Sequence, residues 1–384
     1  MRKSRIIFFI WCICLISVYI ASGAYLFAGM LAVTLLCLVI ALVNCIAGGK
    51  KLELAVKLGE ASKKGEKFQG RLIIENKGIL PVFYGICHVE WKNTLTLEQG
   101  ELEVPFSVGG HKKSQVLFEG NSRYCGACRF CVNRWENYDY LRLFKKKRRA
   151  DKNAEVIIAP DCEPVSIEML SKEAYDMESY RYSAKRKGDD PSETFDIRTY
   201  RQGDSIKQIH WKLTGKLDSV VVKEMSYPVY DSVLILPELF VGDKAAPEKR
   251  SAVAEIFASV AMSFLNRRLP FETGFYDARM GKFYIERIET EEDFWNVVYL
   301  FLRTAEGEKP SGTIREYLEN CGTRRFAHYL YITAGSEIKE EKMLEELGEV
   351  TVLRCADGFE IRENEIRVTP DNWKKELAPQ DNWR

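Results

Sequence analysis

The sequence is poor in histidine, proline and glycine, and it has no excess of charge of either sign. Its 384 residues include 4 His, 12 Pro and 26 Gly, so extended disorder and fibrous repeats are excluded for most of the chain. Lys plus Arg number 56 and Asp plus Glu number 55, a net charge of +1, whereas a chain held mainly by phosphate backbones is strongly basic. We therefore expect about two folded domains and no nucleic-acid partner.

Motifs for nucleotide and metal binding are also missing. The chain has no glycine-rich dinucleotide fingerprint and no P-loop. Its histidines are His88, His111, His210 and His328, and no pair has the i, i+4 spacing that binds zinc on a helix. The sequence therefore predicts neither a cofactor nor a histidine metal site.

A long uncharged run lies near the N-terminus: Ile6 to Ala47 contains no Asp, Glu, Lys or Arg. About 20 apolar residues cross the hydrocarbon layer of a bilayer as a helix, so the run is long enough for two crossings. Small residues at 21–24 interrupt it. This pattern predicts a transmembrane hairpin with helices at about 6–21 and 25–46, in contact with the lipid bilayer through 6–47.

Basic residues flank this run on both sides. Arg2, Lys3 and Arg5 precede the first helix, and Lys50 and Lys51 follow the second. The positive-inside rule then places both ends, and the rest of the chain, in the cytoplasm. The alternative is a cleaved signal peptide, with the basic residues as its n-region. Cleavage would leave an outside N-terminus and one crossing, which also places the rest of the chain in the cytoplasm.

The segment 51–150 alternates apolar and polar residues with period two and is divided by short Gly- and Asn-rich turns. The predicted strands are 52–56, 68–75, 82–91, 104–118 and 125–132. Short alternating strands of this kind indicate a small antiparallel β-sandwich or barrel. The basic run 145–149 that follows is interpreted as a solvated edge or linker, or as a contact with anionic lipid headgroups.

Three cysteines at Cys125, Cys128 and Cys131 have a spacing that metal ligands also use. In a strand, positions 125 and 131 share a face and 128 lies on the other, so one metal could not bind all three without a bulge. Packed strand cysteines are therefore favoured. A cysteine- or metal-dependent enzyme centred on Cys125–Cys131 or on His210 is the alternative.

From 229 to 384 strands and helices alternate, after a connection at 151–228. We predict strands at 232–236, 271–276, 283–287, 329–333 and 350–354, and helices at 247–268, 290–303, 312–320 and 336–347. This alternation is typical of a mostly parallel sheet with helices on both faces, and we expect a Rossmann-like three-layer domain.

The segment 193–224 contains more residues that indicate a particular local structure or function than any other part of the sequence. Asp204 stands at the N-cap of a short helix predicted at 205–212, Gly203 supplies the turn before it, and Trp211 is expected to cover the edge of a strand at 219–224. Opposite charges around the turn predict a set of ion pairs. Three interpretations follow. The segment is a lock, meaning a structural contact that fixes one domain to the next, or a partner-binding surface, or an enzyme site.

This segment resembles the domain-of-unknown-function 58 family of bacterial membrane-anchored proteins. The family pattern is Arg-x-Tyr-x-x-Gly-Asp-x-x-x-x-Ile-x-Trp-Lys, followed by a strand that ends Val-Lys-Glu. The residues that match it here are Arg198, Tyr200, Gly203, Asp204, Ile209, Trp211, Lys212, Val222, Lys223 and Glu224. With His210, they form the predicted partner-binding or structural motif.

The resemblance implies a scaffold or adaptor more than an enzyme, often encoded beside a MoxR-type AAA+ ATPase. It also implies that 229–384 is a von Willebrand factor A-like domain. Such domains commonly bind a divalent ion through Asp-x-Ser-x-Ser, but 237–241 and 333–335 lack that set of hydroxyls and carboxylates, so no metal is expected. The resulting hypothesis is a non-enzymatic, membrane-anchored cytoplasmic scaffold that binds an ATPase of this type and other membrane proteins in envelope-related assembly.

Overall fold

The computed structural model describes most of the chain, and for part of it the backbone alone. The described residues are 2–59, 61–170, 182–188, 190–201, 205, 209–217, 219–228, 230–240, 246–304, 312–321 and 324–379. Among these, the backbone alone is described for 61, 62, 169, 182–188, 190–196, 217, 224–228 and 230–232. The chain divides into two compact units, Met1–Ala159 and Pro160–Arg384.

The first unit begins with two helices, α1 (Arg2–Ser22) and α2 (Tyr25–Ala47), which confirm the predicted helical hairpin. Gly23 ends α1 with a φ of +62°, a left-handed conformation that costs glycine little, and its N–H donates to the Tyr19 carbonyl. Both helices are long and apolar enough to cross a membrane.

Two sheets of β-strands follow. The first has the order β1-β3-β6 and is antiparallel, with β1 at Leu52–Leu58, β3 at Lys67–Asn76 and β6 at Lys113–Asn121. The second has the order β2-β8-β7-β4-β5, with β2 at Ala61–Lys63, β4 at Val82–Asn93, β5 at Gln99–Val108, β7 at Gly126–Tyr138 and β8 at Lys145–Ala159. It is antiparallel except that β2 pairs parallel to β8. The antiparallel strands predicted for this region are confirmed, except that 104–118 is divided between β5 and β6, which belong to different sheets.

One apolar core fills the space between these two sheets. Phe68 of the first sheet contacts Phe130 of the second edge to face, with ring centroids 5.3 Å apart, and Phe118 lies 6.1 Å from the same ring. All three side chains are buried. Because the apolar residues of each strand alternate with polar ones, every strand gives one face to this core and one to its surroundings.

The basic run 145–149 is not a linker. It is the beginning of β8, which pairs with β7 from Lys145 opposite Tyr138 to Ile158 opposite Gly126. The buried carboxylate of Glu136 on β7 accepts from Lys145 Nζ at 3.0 and 3.1 Å, which stabilises a cationic strand start. The strand also continues past the predicted domain boundary at 150 as far as Ala159, where Pro160 follows.

The second unit contains a sheet of seven strands in the order β14-β13-β12-β15-β16-β18-β17. They are β12 (Tyr230–Pro237), β13 (Phe271–Asp277), β14 (Lys282–Arg287), β15 (Phe326–Thr333), β16 (Glu349–Cys355), β17 (Glu360–Ile361) and β18 (Glu365–Val368). The five central strands are parallel and the two edge strands antiparallel. The predicted mostly parallel sheet is confirmed.

Helices cover both faces of this sheet. They are α5 (Pro247–Asn266), α6 (Glu291–Arg303), α7 (Gly312–Cys321) and α8 (Glu340–Glu345), the last shorter than predicted. Phe275 of β13 contacts Phe301 of α6 on one face, with ring centroids 5.3 Å apart. Tyr329 of β15 contacts Tyr317 of α7 on the other face, at 5.8 Å.

A small separate sheet carries the motif of 193–224. Its order is β10-β11-β9, all antiparallel, with β9 at Tyr182–Gly188, β10 at Asp190–Thr199 and β11 at Val221–Pro228. The short helix α4 (Trp211–Leu217) precedes β11. Two further single-turn helices, α3 (Ile167–Leu170) and α9 (Trp373–Glu376), complete the described elements.

Candidate functional site

The two halves of the motif are joined through β11. Arg198 on β10 pairs with Val222, and the Tyr200 N–H donates to the Val220 carbonyl at 2.8 Å. From the other side, Ile209 forms an isolated β-bridge with Val222. The pairing therefore places 197–200 and 209–212, twelve or so residues apart in sequence, beside the same strand.

His210 begins the helix in the way the sequence predicted for Asp204. Its N–H donates to the Val221 carbonyl at 2.9 Å, and its ring Nδ1 accepts from the Leu213 N–H at 3.3 Å. The same Leu213 N–H also donates to the His210 carbonyl at 2.9 Å, so the ring adds a second acceptor to an amide of the first turn, in the position of a capping group. Gly203 and Asp204 lie outside the described residues.

Of the helix predicted at 205–212, residues 206–208 lie outside the described residues, 205, 209 and 210 are not helical, and the described helix α4 begins at Trp211. Ile209 is held in extended backbone by its bridge to Val222, so α4 begins after it. As a result Leu213 and Thr214 are the half-buried residues of α4, and the Thr214 hydroxyl accepts from the Val221 N–H at 3.2 Å.

Trp211 does not cover the edge of the sheet as predicted. It is 66% exposed on the first turn of α4. Three other large side chains of this region are also exposed, at 40% for Ile197, 37% for Tyr200 and 41% for Val220. By strand alternation Ile197 points to the opposite face of the sheet from Tyr200 and Val220. We call Trp211, Tyr200 and Val220 the motif surface.

Basic residues lie close to the motif surface in sequence. Lys212, Lys223 and Arg201 are exposed, and Arg198 is half-buried with its Nη1 donating to the Thr199 carbonyl at 3.1 Å. Glu224 is described by its backbone alone, which pairs with Asp196 in the β10–β11 ladder. The predicted ion pairs around the turn depend in part on residues outside the described ranges.

The carboxyl edge of the seven-stranded sheet is where doubly wound sheets bind ligands, and it contains a carboxylate that the sequence did not single out. Glu238 follows β12 and is buried, and its two oxygens accept from the Phe240 N–H at 3.0 Å and from the Thr313 N–H at 2.9 Å. Burial raises the pKa of Glu238 above its ordinary range. The carboxylate is thus directed at the first turn of α7.

A buried arginine at this edge of the sheet forms hydrogen bonds that hold the turn after β15. Arg354 at the end of β16 donates from Nη2 to both oxygens of Glu341, at 2.9 and 3.0 Å, and from Nη1 to the Gly335 carbonyl at 2.6 Å. Its Nε donates to Glu365 at 3.2 Å. These bonds fix the turn after β15 to the neighbouring strand and to α8. Among the residues that the structure describes, no group of three or more His, Cys, Asp or Glu side chains is placed to hold a metal ion.

Cys128 and Cys131 lie on opposite faces of β7 as predicted, but Cys125 does not share a strand face with Cys131, because the strand begins after it. Cys128 lies in the apolar core and Cys131 on the opposite face, while Cys125 precedes the strand and is buried. Burial raises the pKa of Cys128 to about 12, so its thiol stays protonated at neutral pH. A protonated core thiol is a poor nucleophile, which argues against Cys128 as the centre of an enzyme site.

Comparison with known proteins gives no family. No family model matches the chain, and no curated protein matches it. A CARDB domain from Pyrococcus furiosus, solved with di-metal ions, covers 28% of this chain and 87% of its own, at 11% identity and a TM-score of 0.22. A β-glucosidase from Listeria innocua covers 26% of this chain and 16% of its own, at 12% identity and a TM-score of 0.19. An alkylpurine DNA glycosylase from Pseudomonas fluorescens, bound to DNA with an abasic site analog, covers 28% and 30% at 14% identity and a TM-score of 0.21.

Proposed function

We propose that the chain is a membrane-anchored scaffold whose α1–α2 hairpin crosses the bilayer and whose motif surface binds another protein. The seven-stranded domain is interpreted as von Willebrand factor A-like and, with the rest of the chain after the hairpin, as cytoplasmic. The resemblance of the motif suggests a MoxR-type AAA+ ATPase as the partner, in envelope-related assembly.

The exposure of Trp211 is the observation that carries this proposal. Tryptophan is the residue type most enriched at binding hot spots, where truncation to alanine costs about 2 kcal/mol or more. Here it stands on a short helix that is fixed to β11 by the His210 and Thr214 hydrogen bonds, so little order has to be gained on binding.

The charge around the motif surface supports a protein partner with acidic groups. Arg201 and Lys212 are exposed and follow Tyr200 and Trp211 directly in sequence, and Lys223 is exposed on β11. An apolar centre with a polar rim is the usual anatomy of a protein interface. Basic rim residues of this kind act mainly on the rate and specificity of association.

The test is a crosslinking pull-down from membranes with the full-length protein and a Trp211→Ala variant. We expect the variant to lose about tenfold or more of the captured ATPase while its melting temperature stays within about 2 °C of the wild type. Phe359→Ala is the matched control, because Phe359 is 49% exposed and lies on the seven-stranded domain away from the motif.

Two results would contradict the proposal. Full capture by the Trp211→Ala variant would mean that the motif surface binds no partner. A large loss of thermal stability in that variant, with Phe359→Ala unaffected, would mean that Trp211 holds the fold together and that the motif is a lock.

A further inference from the structure

The last two turns of α2 are packed into the β-sheets of the first unit. Ala41, Asn44 and Cys45 are buried, at the spacing of one helical face. Asn44 Nδ2 donates to the Pro81 carbonyl at 3.2 Å, and Asn137 Nδ2 donates to the Cys45 carbonyl at 3.0 Å. This end of the hairpin is therefore held by the β-sheets, and the remainder of α2 is left for the bilayer.

One loop of the β-sheets extends along α2 beyond this packed end. The Tyr140 hydroxyl donates to the Cys37 carbonyl at 2.8 Å, and Cys37 lies one helical turn, about 5.4 Å, past Ala41 on the bilayer side. At the start of α1, Arg5 Nε donates to the Leu143 carbonyl of the same loop at 2.8 Å. The loop thus lies at the level where the charged end of α1 meets the apolar run.

Apolar side chains are exposed at this level. They come from the 79–83 and 140–141 segments, and we call them the apolar rim: Ile79, Leu80, Phe83, Tyr140 and Leu141. Ile79 is 80% exposed and Phe83 50%. The rings of Phe83 and Tyr140 contact each other edge to face, with centroids 5.9 Å apart, so the two segments form one surface.

The loop that presents Tyr140 and Leu141 is held in a fixed shape. The buried carboxylate of Asp139 accepts from the Leu141 N–H at 2.9 Å and from the Phe144 N–H at 2.6 Å. Arg142 has a φ of 54°, and its guanidinium lies over the Tyr84 ring at 4.2 Å. These contacts fix the loop backbone in a conformation that leaves Tyr140 and Leu141 exposed, although residues of these types are usually at least partly buried.

Positive charge lies next to the apolar rim. Arg142 is in the rim loop itself, and Lys146 follows at the start of β8 with an exposed side chain, whereas the charge of Lys145 is paired with Glu136. Arg148 Nη2 donates to the Ile46 and Gly48 carbonyls at 2.8 Å. Each Lys or Arg near an anionic membrane surface contributes about 1 kcal/mol of attraction. Aromatic residues beside basic ones are the composition of a membrane interface.

We infer that the apolar rim inserts into the bilayer leaflet from which α1 and α2 emerge, between anionic phospholipid headgroups. This rests on the proposed membrane crossing of the hairpin. Tyr140 and Leu141 enter the boundary between headgroups and acyl chains, and the basic residues behind them contact lipid phosphates. The β-sheets are then held at a fixed height and tilt on the membrane, with no freedom to swing about the end of α2.

The test uses the full-length protein in nanodiscs that contain phosphatidylglycerol. A diazirine-bearing aliphatic residue is introduced singly at Phe83 or Leu141, and lipid adducts are measured by mass spectrometry after illumination. Leu36, exposed in the middle of α2, is the reference for a position in lipid. Leu117 is the matched control, because it is 63% exposed on β6, about 13 Å along the strand from Lys113 at the end nearest α2.

We expect lipid adducts at Phe83 and Leu141 in yields comparable to Leu36, and about tenfold lower yields at Leu117. Adducts at Leu36 but not at Phe83 or Leu141 would overturn the inference and leave the membrane hairpin intact. Protein–protein adducts at Phe83 would also overturn it, because a second copy would then cover the rim. An absence of adducts at Leu36 would instead refute the membrane crossing itself.

Discussion

Replacing Arg354 with methionine should be among the most damaging single changes in the second unit. The substitution keeps much of the side-chain volume but leaves Glu341, which is 7% exposed, without its charged partner. Removing one partner of a buried ion pair costs about 3–5 kcal/mol, because the remaining charge stays buried and uncompensated. Glu365 is less affected, since it also accepts from Arg367 at 2.6 Å.

Scanning calorimetry of the full-length protein in detergent measures this cost. For a unit of this size about 3–5 kcal/mol corresponds to a fall of roughly 6–20 °C in the melting temperature. The Arg354→Met, Glu341→Met double variant should recover most of the loss, because replacing both charges by apolar groups removes the buried charge altogether. Arg362→Met is the control: Arg362 pairs with Glu360 at 3.0 Å on the exposed surface, and its loss should leave the transition in place.

The reasoning is refuted if Arg354→Met unfolds at the same temperature as Arg362→Met. It is also refuted if the double variant is less stable than Arg354→Met, since the cost would then come from lost packing and not from the unpaired carboxylate of Glu341.

Three other predictions follow from the buried polar groups. With its pKa raised to about 12, Cys128 should react with maleimide at pH 7.5 about a thousandfold more slowly than a free cysteine, and label readily once unfolded, as peptide mass spectrometry will show. Asn137→Ala removes the hydrogen bonds to the Cys45 and Gly48 carbonyls, at 3.0 and 3.2 Å, and should lower the free energy of unfolding by about 1–3 kcal/mol. Hydrogen–deuterium exchange should show this as faster exchange of the backbone amides that follow α2. Because burial raises the pKa of Glu238 above the ordinary 4.5, the folded chain binds that proton more tightly than the unfolded chain, so its contribution is full below about pH 4.5 and is lost as pH rises through the folded value. The melting temperature of the wild type relative to Glu238→Gln should therefore fall as the pH rises above 4.5, and a difference that does not change with pH would count against the assignment.

Local periodicity was enough to predict the hairpin, the alternating strands and the mostly parallel sheet, because each depends on residues close together in sequence. Of the interpretations of the basic run 145–149, the linker is wrong, because the run begins β8 and pairs with β7. Glu136 on β7 accepts from Lys145, a contact that is not visible from the run itself.

The motif shows the same limit more sharply. Residue type favours Asp204, which lies outside the described residues, as a helix cap, whereas the cap that the structure describes is His210, positioned by the bridge between Ile209 and Val222. Nothing near Glu238 in sequence points to its role, because the amide it accepts from, at Thr313, lies 75 residues further along the chain. Polar contacts of this range have no periodic signal in the sequence.

The carbonyl groups at the end of α2 have a consequence for how the protein is made. Arg148 donates to the Gly48 carbonyl across 100 residues of sequence, and Asn137 donates to the Cys45 carbonyl across 92. At about 5–20 residues per second of synthesis, the ribosome needs roughly 5–20 s to reach these donors after α2 is complete. During that interval the Cys45, Ile46 and Gly48 carbonyls lack these side-chain donors, so the end of α2 reaches its final hydrogen bonding only after β7 and β8 have been synthesised.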